Sequence, residues 1–588
     1  MSAPTLPPEP PLVQPEPEQG RRPDRGGGTT RLVRWLPVTV LVVLLSFLVV
    51  LPVGMLVYAS FSDVAPRPGA EPSFTLDNYR GLLTPGVGSA LLNSVLVSLG
   101  GTVAALVMGG GLAWLVTRTN VPCKRLLQVA GIAPLFISSM IGALAWALLS
   151  SPRTGYLNQA LVALGIPFTF NVYSLTGMIL VFGLYYAPYA FMFVQSALSL
   201  MNPELEEAGE AHGATKVRVA RRVSFPLIKP AVMGAAILVF VLIFENFPIP
   251  TILGARERVD TIPSQIYRLI VSAPPDANRA ASLGMILMAI MVTLVYIQRR
   301  VLAAREYTTV SGKGFKPRVN DIGRWKWVGL GAGLAYLFLA VVLPAFALLQ
   351  SSLRSHQYIG SFADLFVLSD LSPDAFTSML TYGPFQLGLR NTLILGVLTA
   401  VIGGLLHFVL AYTVLRTRSP GRGLLEYLAM APVGIPALVI GMGFLWGWTT
   451  LDLLPIYGTL VILALAYIAR FMPQGFRGVA SSITQVHPDL EDSAIVSGAN
   501  RIRAVWRITL PLIRVGVVST MLLLFILSMR ELSTSIFLFS AETRILSVVI
   551  FEQWESGRWP RAAAISIIYS SLLMVLTVIS RKWFKTEG

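Results

Sequence analysis

The sequence is poor in charge, cysteine and histidine. Charged residues make up 13% of its 588 residues, against about 25% in soluble globular domains. A single cysteine, Cys123, excludes an internal disulfide, and four scattered histidines do not predict a metal cage. No Gly-x-x-x-x-Gly-Lys-Ser/Thr motif is present, which excludes that phosphate-binding loop. We therefore predict no catalytic residue and no cofactor bound by this chain, and leave any metal ligand unassigned.

Apolar residues are abundant instead. They form 54% of the chain, more than one soluble core can bury, so the composition predicts a polytopic membrane protein embedded in the lipid bilayer. The net charge of +16 does not predict nucleic-acid binding, because the basic residues lie between apolar runs. Residues 1–30 are rich in Pro, Glu, Gly and Arg, which predicts a disordered tail. The apolar run that follows is too long for a signal-peptide core and is expected to remain as a membrane helix.

Twelve apolar runs are long enough to cross a bilayer, which takes about 20 residues. We number them spans 1 to 12. They lie near 35–59, 90–117, 127–150, 174–200, 231–254, 280–298, 327–350, 391–415, 425–449, 456–478, 515–539 and 562–580. The predicted fold class is therefore an all-α polytopic membrane protein.

Lys and Arg are concentrated in alternate loops, which predicts the orientation of the spans. Basic clusters follow spans 2, 4, 6 and 8 and close the chain, while the loops between them are balanced in charge. Because basic loops remain in the cytoplasm, both termini are predicted to be cytoplasmic. The predicted domains are a cytoplasmic tail (1–30), a first membrane domain (31–303), a cytoplasmic linker (304–326) and a second membrane domain (327–588).

The second half repeats the first. Asn93 corresponds to Asn391 and Pro134 to Pro432 at an offset of 298 residues, and from Pro188 onward the offset is 285. Both copies run through the membrane in the same sense. The sequence therefore predicts two parallel six-helix repeats related by an axis along the membrane normal.

The strongest repeated feature runs from Pro203 to Pro226 and from Pro488 to Pro511. In the first copy Asn202 is expected to cap a short helix that begins at Pro203. Acidic residues follow in both copies and complement the positive helix end. Gly213 and Gly498 come where a left-handed residue ends a helix, and Pro226 and Pro511 are interpreted as the entry to spans 5 and 11.

One face of each short helix is predicted to carry small and apolar side chains with an acidic rim. These are Leu205, Ala208 and Ala211 in the first copy and Leu490, Ser493 and Val496 in the second. Small side chains would let another protein approach the backbone closely. The alternative is a capped turn that only joins two membrane helices, but its recurrence in corresponding loops favours a docking surface.

These residues resemble the EAA loop of binding-protein-dependent ABC importer permeases, which is Glu-Ala-Ala, a Gly at the seventh place, then Ile-x-Leu-Pro. The first copy departs from it at Gly209 and Phe225, and the second at Asp492 and Ser493. The resemblance implies a type I importer fold and a coupling role for Glu206, Glu207, Ala208, Gly209, Gly213, Pro226, Glu491, Asp492, Ser493, Ala494, Gly498 and Pro511.

The same resemblance implies the partners. They are two copies of a cytosolic ABC ATPase, which use ATP and Mg, and an extracytoplasmic solute-binding protein, with the permease in a bacterial inner membrane. The segment Met529-Arg530-Glu531-Leu532 looks most like the ferric-iron importer permeases. Thiamine, polyamine and phosphonate permeases remain alternatives within the family. A secondary transporter driven by an ion gradient is the alternative outside it.

Four polar residues lie in corresponding parts of spans 5 and 11, namely Glu245, Asn246, Arg530 and Glu531. Ionised groups at membrane depth are costly unless they are paired or hydrated. We predict that Glu245 and Glu531 shape a translocation path and that Arg530 holds one of them in place. A purely structural ion pair is the alternative.

Overall fold

The computed structural model describes residues 38–69, 71–303, 319–354, 360–417, 419–451 and 455–585, with side chains to residue 576. The predicted tail and residues 304–318 of the predicted linker lie outside the described residues. Within them the chain is helical, with a few isolated β-bridges such as that between Thr119 and Asn320.

Nine described helices are long and apolar enough to cross a membrane, and three bent helix pairs bring the number to 12. This agrees with the predicted spans. Their bounds are Val38–Ser60, Pro85–Arg118, Lys124–Phe136 with Ser139–Ser150, Leu175–Leu200, Ala220–Phe244, Ala277–Val301, Trp325–Ser352, Gly383–Arg416, Arg422–Gly434 with Ala437–Leu451, Leu460–Arg470 with Met472–Thr484, Arg501–Met529 and Trp559–Leu576. Shorter helices connect them at Asp77–Arg80, Tyr156–Ala163, Glu204–Ala211, Pro248–Gly254, Ile262–Val271, Asp374–Leu380, Asp489–Val496 and Leu546–Glu555, with 3₁₀ turns at Phe362–Phe366, Leu368–Asp370 and Ser535–Phe537.

Spans 3 and 9 are each bent into two parts. Their two parts meet at 97° and 111°. In each, the first part ends in a 3₁₀ turn that contains a proline, Pro134 or Pro432. Proline has no N–H to donate and clashes with the preceding turn, so the α-helix stops there. Span 10 bends by 58° beside Pro473, whereas its counterpart Pro188 lies inside a continuous helix.

Spans 5 and 11 begin earlier and end earlier than predicted. Each helix passes through the basic segment and through Pro226 or Pro511, which are therefore not the helix entries. A π-turn precedes each proline, at Ala220–Ser224 and Val505–Thr509. Such a turn shifts the backbone hydrogen bonds, so the missing proline N–H is tolerated within one helix.

The two halves repeat one another in their internal hydrogen bonds. The Ser94 hydroxyl accepts from the backbone N–H of Ile262 at 2.8 Å, and Thr392 Oγ1 accepts from that of Leu546 at 2.8 Å. These bonds tie span 2 to the segment after span 5, and span 8 to the segment after span 11. The parallel repeat predicted from the sequence is therefore present in the packing.

The first span of each half also packs against the other half. A Cβ at Gly443 of span 9 would lie 2.3 Å from the carbonyl oxygen of Pro52 in span 1. In the opposite direction, the Tyr336 hydroxyl of span 7 donates to the carbonyl of Leu184 in span 4 at 3.1 Å. Spans 1 and 7 thus each pack against the other half as well as their own, and we call them the crossed spans.

Candidate functional site

A buried glutamate anchors the first repeated helix, Glu204–Ala211, which we call the first loop helix. Glu206 accepts a hydrogen bond from Arg118 Nη1 at 3.1 Å and another from the Ser224 hydroxyl at 2.5 Å. The side chains of Arg118 and Glu206 are 2% and 6% exposed. The loop helix is therefore bonded to the end of span 2 and to the start of span 5.

The second loop helix, Asp489–Val496, is anchored at the corresponding residue. Glu491 accepts from the Thr509 hydroxyl at 2.6 Å and from the Tyr412 hydroxyl at 2.8 Å. Arg416, the counterpart of Arg118, lies 3.8 Å away. Glu491 therefore joins the second loop helix to spans 8 and 11, as Glu206 joins the first to spans 2 and 5. Its short hydrogen bonds come from hydroxyl groups and not from the guanidinium group.

These anchors correct one expectation. The acidic residues were expected to rim a docking surface, but Glu206 and Glu491 point inward and are buried. A carboxylate with two donors in a buried site is held by the helix packing, so it is not available to a partner. Glu207 and Asp492 are exposed, as are Ala208 and the other residues of the predicted face.

The exposed face is formed by the residues that the spacing predicted. Leu205 and Leu490 are each 48% exposed and Val496 is 89% exposed, and Ala208, Ala211 and Ser493 are exposed beside them. Each loop helix therefore presents small and apolar side chains on its outer face, as the spacing predicted.

Both loop helices end at a glycine with positive φ, 79° at Gly213 and 91° at Gly498. The next residue closes the turn, because the N–H of Ala214 donates to Gly209 at 3.1 Å and that of Ala499 to Ala494 at 3.0 Å. This is the left-handed helix end predicted from the sequence. At the other end the first loop helix begins at Glu204, one residue later than predicted, and Asn202 accepts from the Glu204 N–H at 2.9 Å.

The two loop helices differ at one packing position. A Cβ on Gly209 would lie 3.1 Å from a methyl group of Val219, which is buried. Their counterparts at an offset of 285 are Ala494 and Ala504. The first copy thus pairs a glycine with a valine, and the second pairs two alanines.

This difference predicts a compensated pair of substitutions. Gly209→Ala alone should destabilise the loop by about 1 kcal/mol, because the new methyl group crowds Val219. Adding Val219→Ala recreates the pairing of the second copy and should recover most of that loss. Thermal unfolding of the single and double variants measures the coupling between the two positions. Additive effects would contradict it.

An ion pair joins the two halves between the end of span 5 and the bend of span 10. Arg470 Nη2 lies 2.6 Å from Glu245 Oε1, with side chains 15% and 9% exposed. Arg470 also donates to the carbonyl of Ile435 at the bend of span 9, at 3.3 Å. The cation that pairs with Glu245 is therefore Arg470 rather than Arg530.

Asn246 and Glu531 occupy corresponding positions and do the same work. Asn246 Oδ1 accepts from the backbone N–H of Ile249 at 3.1 Å, and Glu531 Oε1 accepts from that of Thr534 at 2.9 Å. Each caps the turn that follows its span. Asn246 also donates to the Tyr186 hydroxyl at 2.8 Å. Both residues shape the interior beside the ion pair.

An aromatic cluster joins the halves at the membrane side opposite the loop helices. Tyr267 packs against Phe247, Phe537 and Phe551 with ring centroids 5.0 to 6.2 Å apart. Its hydroxyl donates to Glu555 at 3.3 Å. Burial raises the pKa of the Glu555 carboxyl and raises the pKa of the Tyr267 hydroxyl above its ordinary range.

In the part of the chain that the structure describes, no group of three or more His, Cys, Asp or Glu side chains could hold a metal ion. Two residues that hold the site together were not predicted from the sequence. Arg470 is a lone arginine within an apolar run, which could have marked it. Arg118 belongs to the basic cluster after span 2, from which only the orientation was predicted.

Comparison with known proteins identifies the family. A family model described as binding-protein-dependent transport system inner membrane component matches residues 28–306 and 394–585. A ferric transport system permease protein of Actinobacillus pleuropneumoniae is 26% identical over 72% of this chain, and the match spans 60% of that protein's length. An Fe(3+)-transport system permease protein of Haemophilus influenzae is 22% identical over 84% of this chain and 90% of its own.

A solved bacterial ABC transporter involved in the import of alginate is 21% identical, with a TM-score of 0.36, over 40% of this chain and 85% of that chain. The family model, in contrast, matches both halves of the chain, including both loop helices. The chain therefore belongs to the family of binding-protein-dependent transport system inner membrane components.

Proposed function

We propose that this chain is the permease of an ATP-driven importer of ferric iron, with each loop helix docked on one of two copies of a cytosolic ABC ATPase. The observation that carries the proposal is the pair of loop helices, each fixed from within by a buried glutamate and exposed on its other face. A helix held in this way can transmit a push to spans 2 and 5, or to spans 8 and 11.

In this proposal ATP and Mg are bound by the ATPases, and an extracytoplasmic binding protein delivers the solute. The loop helices and both termini are cytoplasmic, and the chain divides at 304–326 into two membrane domains. Ferric iron is favoured because two relatives of the chain carry that assignment in their names. The permease makes and breaks no covalent bond, and the bound binding protein sets much of the selectivity.

The ion pair between Glu245 and Arg470 is a contact that can break and form again during transport in this proposal. It joins the halves through one short bond, and within the described residues Glu245 Oε2 and Arg470 Nε have no hydrogen-bond partner. A pair held by one bond can separate when the halves rock apart. We propose that it closes the path in the present state, next to Asn246 and Glu531, and opens when ATP binding draws the loop helices together.

Docking is tested by enlarging one small side chain on each exposed face. Ala208→Trp and Ser493→Trp each place an indole where a partner would pack, which costs about 1–3 kcal/mol in a close contact and weakens association roughly tenfold or more. We expect loss of ATPase co-purification and of radioactive ferric iron uptake. Both positions are exposed, so the fold should be retained.

Ser369→Trp, at an exposed position in the loop between spans 7 and 8, is the matched control. It should leave co-purification unchanged. If both loop-helix variants bind the ATPase as well as this control does, the docking proposal is wrong. Uptake into liposomes driven by an ion gradient, without any ATPase, would instead support a secondary transporter.

A further inference from the structure

Span 8 contains a histidine that makes no hydrogen bond through its side chain. His407 is 0% exposed, and within the described residues neither ring nitrogen has a hydrogen-bond partner. Buried polar groups in proteins nearly always have such a partner, so hydrogen bonding does not explain this imidazole. Its size has a direct consequence, because the ring lies against span 10.

The imidazole fits because span 10 has a glycine at the point of contact. A Cβ added to Gly475 would overlap the ring of His407. Gly475 belongs to the second part of span 10, Met472–Thr484, which meets the first part at an angle of 58°. It lies about one turn beyond that bend, so the histidine separates span 8 from span 10 just past the bend.

The first half has the opposite pairing of sizes at the corresponding positions. Gly109 corresponds to His407 at the offset of 298, and Ala190 corresponds to Gly475 at the offset of 285. The larger side chain of the pair is therefore on span 8 in the second half and on span 4 in the first half.

The glycine of span 2 brings the backbones of spans 2 and 4 into contact. A Cβ added to Gly109 would overlap the carbonyl oxygen of Ala187 and lie 2.9 Å from the backbone nitrogen of Phe191. Span 4 is one continuous helix at this level, Leu175–Leu200. The span that touches its neighbour is thus straight, and the span that an imidazole holds away is bent.

Proline alone does not account for the difference between spans 4 and 10. Pro188 and Pro473 correspond, yet only the helix with Pro473 is bent. A proline also leaves the carbonyl four residues earlier without its helical donor. In span 4 this is the carbonyl of Leu184, which accepts from the Tyr336 hydroxyl. That donor satisfies a carbonyl that proline has already freed, whereas the side chain between two spans sets the distance between them.

The bend in span 10 comes directly after Arg470. This arginine is the last residue of the first part, and it bonds to Glu245 in the other half. At the corresponding position of the straight span 4, Tyr185 packs on Gly142 of its own half, and its hydroxyl has no hydrogen-bond partner among the described residues. Of the two corresponding positions, only the one beside the bend bonds across the halves.

We propose that His407 is a positioning residue for the ion pair between the halves. Its volume holds the second part of span 10 away from span 8, the helix bends after Arg470, and the guanidinium group is thereby placed against Glu245. The role depends on the size of the side chain and not on its charge. The inference rests on the proposed function only for the closing of the path by this pair, because the bend and the pair can be measured without transport.

Two spin labels on the full chain measure the bend by pulsed electron paramagnetic resonance. Cys123 is the one cysteine of the sequence, so Cys123→Ser provides a background for labelling. Labels at Val461→Cys and Ser481→Cys, both exposed, lie on either side of the bend. With a rise of 1.5 Å per residue, the bend shortens the distance between these positions by about 4 Å relative to a straight helix.

The size of residue 407 is changed in two ways. His407→Gly with Gly475→Ala recreates the pairing of the first half, and we expect it to lengthen the distance between the labels by about 4 Å. His407→Leu replaces the imidazole by an apolar side chain of similar volume. It should leave the distance unchanged and retain iron uptake, since no hydrogen bond is lost.

The straight span 4 provides the matched control. Labels at Thr176→Cys and Ser196→Cys lie at the exposed counterparts of Val461 and Ser481. Their distance should be the same in the double variant. It should also be the same with Tyr336→Phe, which removes the donor to Leu184. If that substitution shortened the distance by about 4 Å, the hydroxyl group would keep span 4 straight and the proposal would be wrong.

The strength of the ion pair is the second measurement. A double-mutant cycle of Glu245→Gln and Arg470→Met in thermal unfolding gives the coupling between the two residues. We expect this coupling, written as a ratio of equilibrium constants, to fall roughly tenfold in the background of His407→Gly with Gly475→Ala. It should not change with His407→Leu. The coupling between Arg118 and Glu206 is the control and should be the same in every background.

Two further results would overturn the proposal. One is an unchanged label distance in the double variant, with an unchanged elution volume, which would mean that Pro473 sets the bend by itself. The other is a loss of coupling with His407→Leu as large as in the double variant, because the imidazole and not its size would then be required. The expected distances and couplings in a chain that binds no ATPase would support this inference and contradict only the proposed function.

Discussion

Arg470→Met is expected to lower the free energy of unfolding by about 3–5 kcal/mol, because it leaves Glu245 as a buried charge without its partner. The side chain of Glu245 is 9% exposed. Among the ion pairs of the described residues, its one partner is Arg470. The substitution should also abolish uptake, because we propose that this bond closes the path in the present state. Thermal unfolding in detergent and uptake in cells measure the two effects separately.

Two further variants make this result specific. Glu245→Gln with Arg470→Met removes both charges and should recover much of the stability, although not uptake, because the halves are then no longer joined by an ion pair. Arg544→Gln disrupts a partly exposed pair with Glu552 and should cost under about 1 kcal/mol. A loss with Arg470→Met no larger than with Arg544→Gln would show that the buried pair does not hold the interface.

Glu206→Ala is expected to uncouple the ATPase from transport. It removes the carboxylate bound by Arg118 and Ser224, and breaking a buried ion pair of this kind costs about 3–5 kcal/mol. The first loop helix then loses its attachment to spans 2 and 5 while its outer face is unchanged. We expect ATPase co-purification to survive and stimulation of ATP hydrolysis by the loaded binding protein to be lost.

The second copy provides an internal comparison. Glu491→Gln should be milder than Glu206→Gln, because Glu491 is held at short range by two hydroxyl groups and its guanidinium lies 3.8 Å away. A glutamine oxygen can still accept from Thr509 or Tyr412. Glu207→Gln and Asp492→Asn, at exposed positions, are the controls and should leave stimulation intact. If these two controls and the two buried variants all lost stimulation of ATP hydrolysis equally, the effect would arise at the outer surface of the loop helices instead.

The loop helices could be predicted from the sequence because their signals are local. A proline, an acidic first turn and a terminal glycine act within a few residues of each other, and the structure has the left-handed ends at Gly213 and Gly498. Recurrence at one offset made the prediction stronger. The pattern did not predict which acidic side chain points inward. Glu206 and Glu207 are neighbours in the sequence, and only Glu206 is buried.

Features that depend on distant parts of the chain were not predictable in the same way. Glu245 and Arg470 are 225 positions apart, and no periodicity connects them. Pro134 and Pro432 were landmarks of the repeat, but a proline in the sequence does not predict the angle at which the helix bends there. Arg118 and Arg416 looked like other basic residues, because the rule for orientation treats every Lys and Arg alike.

The crossed spans have a consequence for stoichiometry. Since span 1 packs on the second half and span 7 on the first, either half made as a separate protein would expose the surface that its missing partner covers. Because the halves are fused, they associate within one molecule, at an effective concentration on the order of millimolar. It also fixes the ratio of the halves at one to one. Every assembly therefore contains one first loop helix, with Gly209, and one second loop helix, with Ala494. Any difference between the two helices is present in every transporter, because no assembly can contain two copies of the same helix.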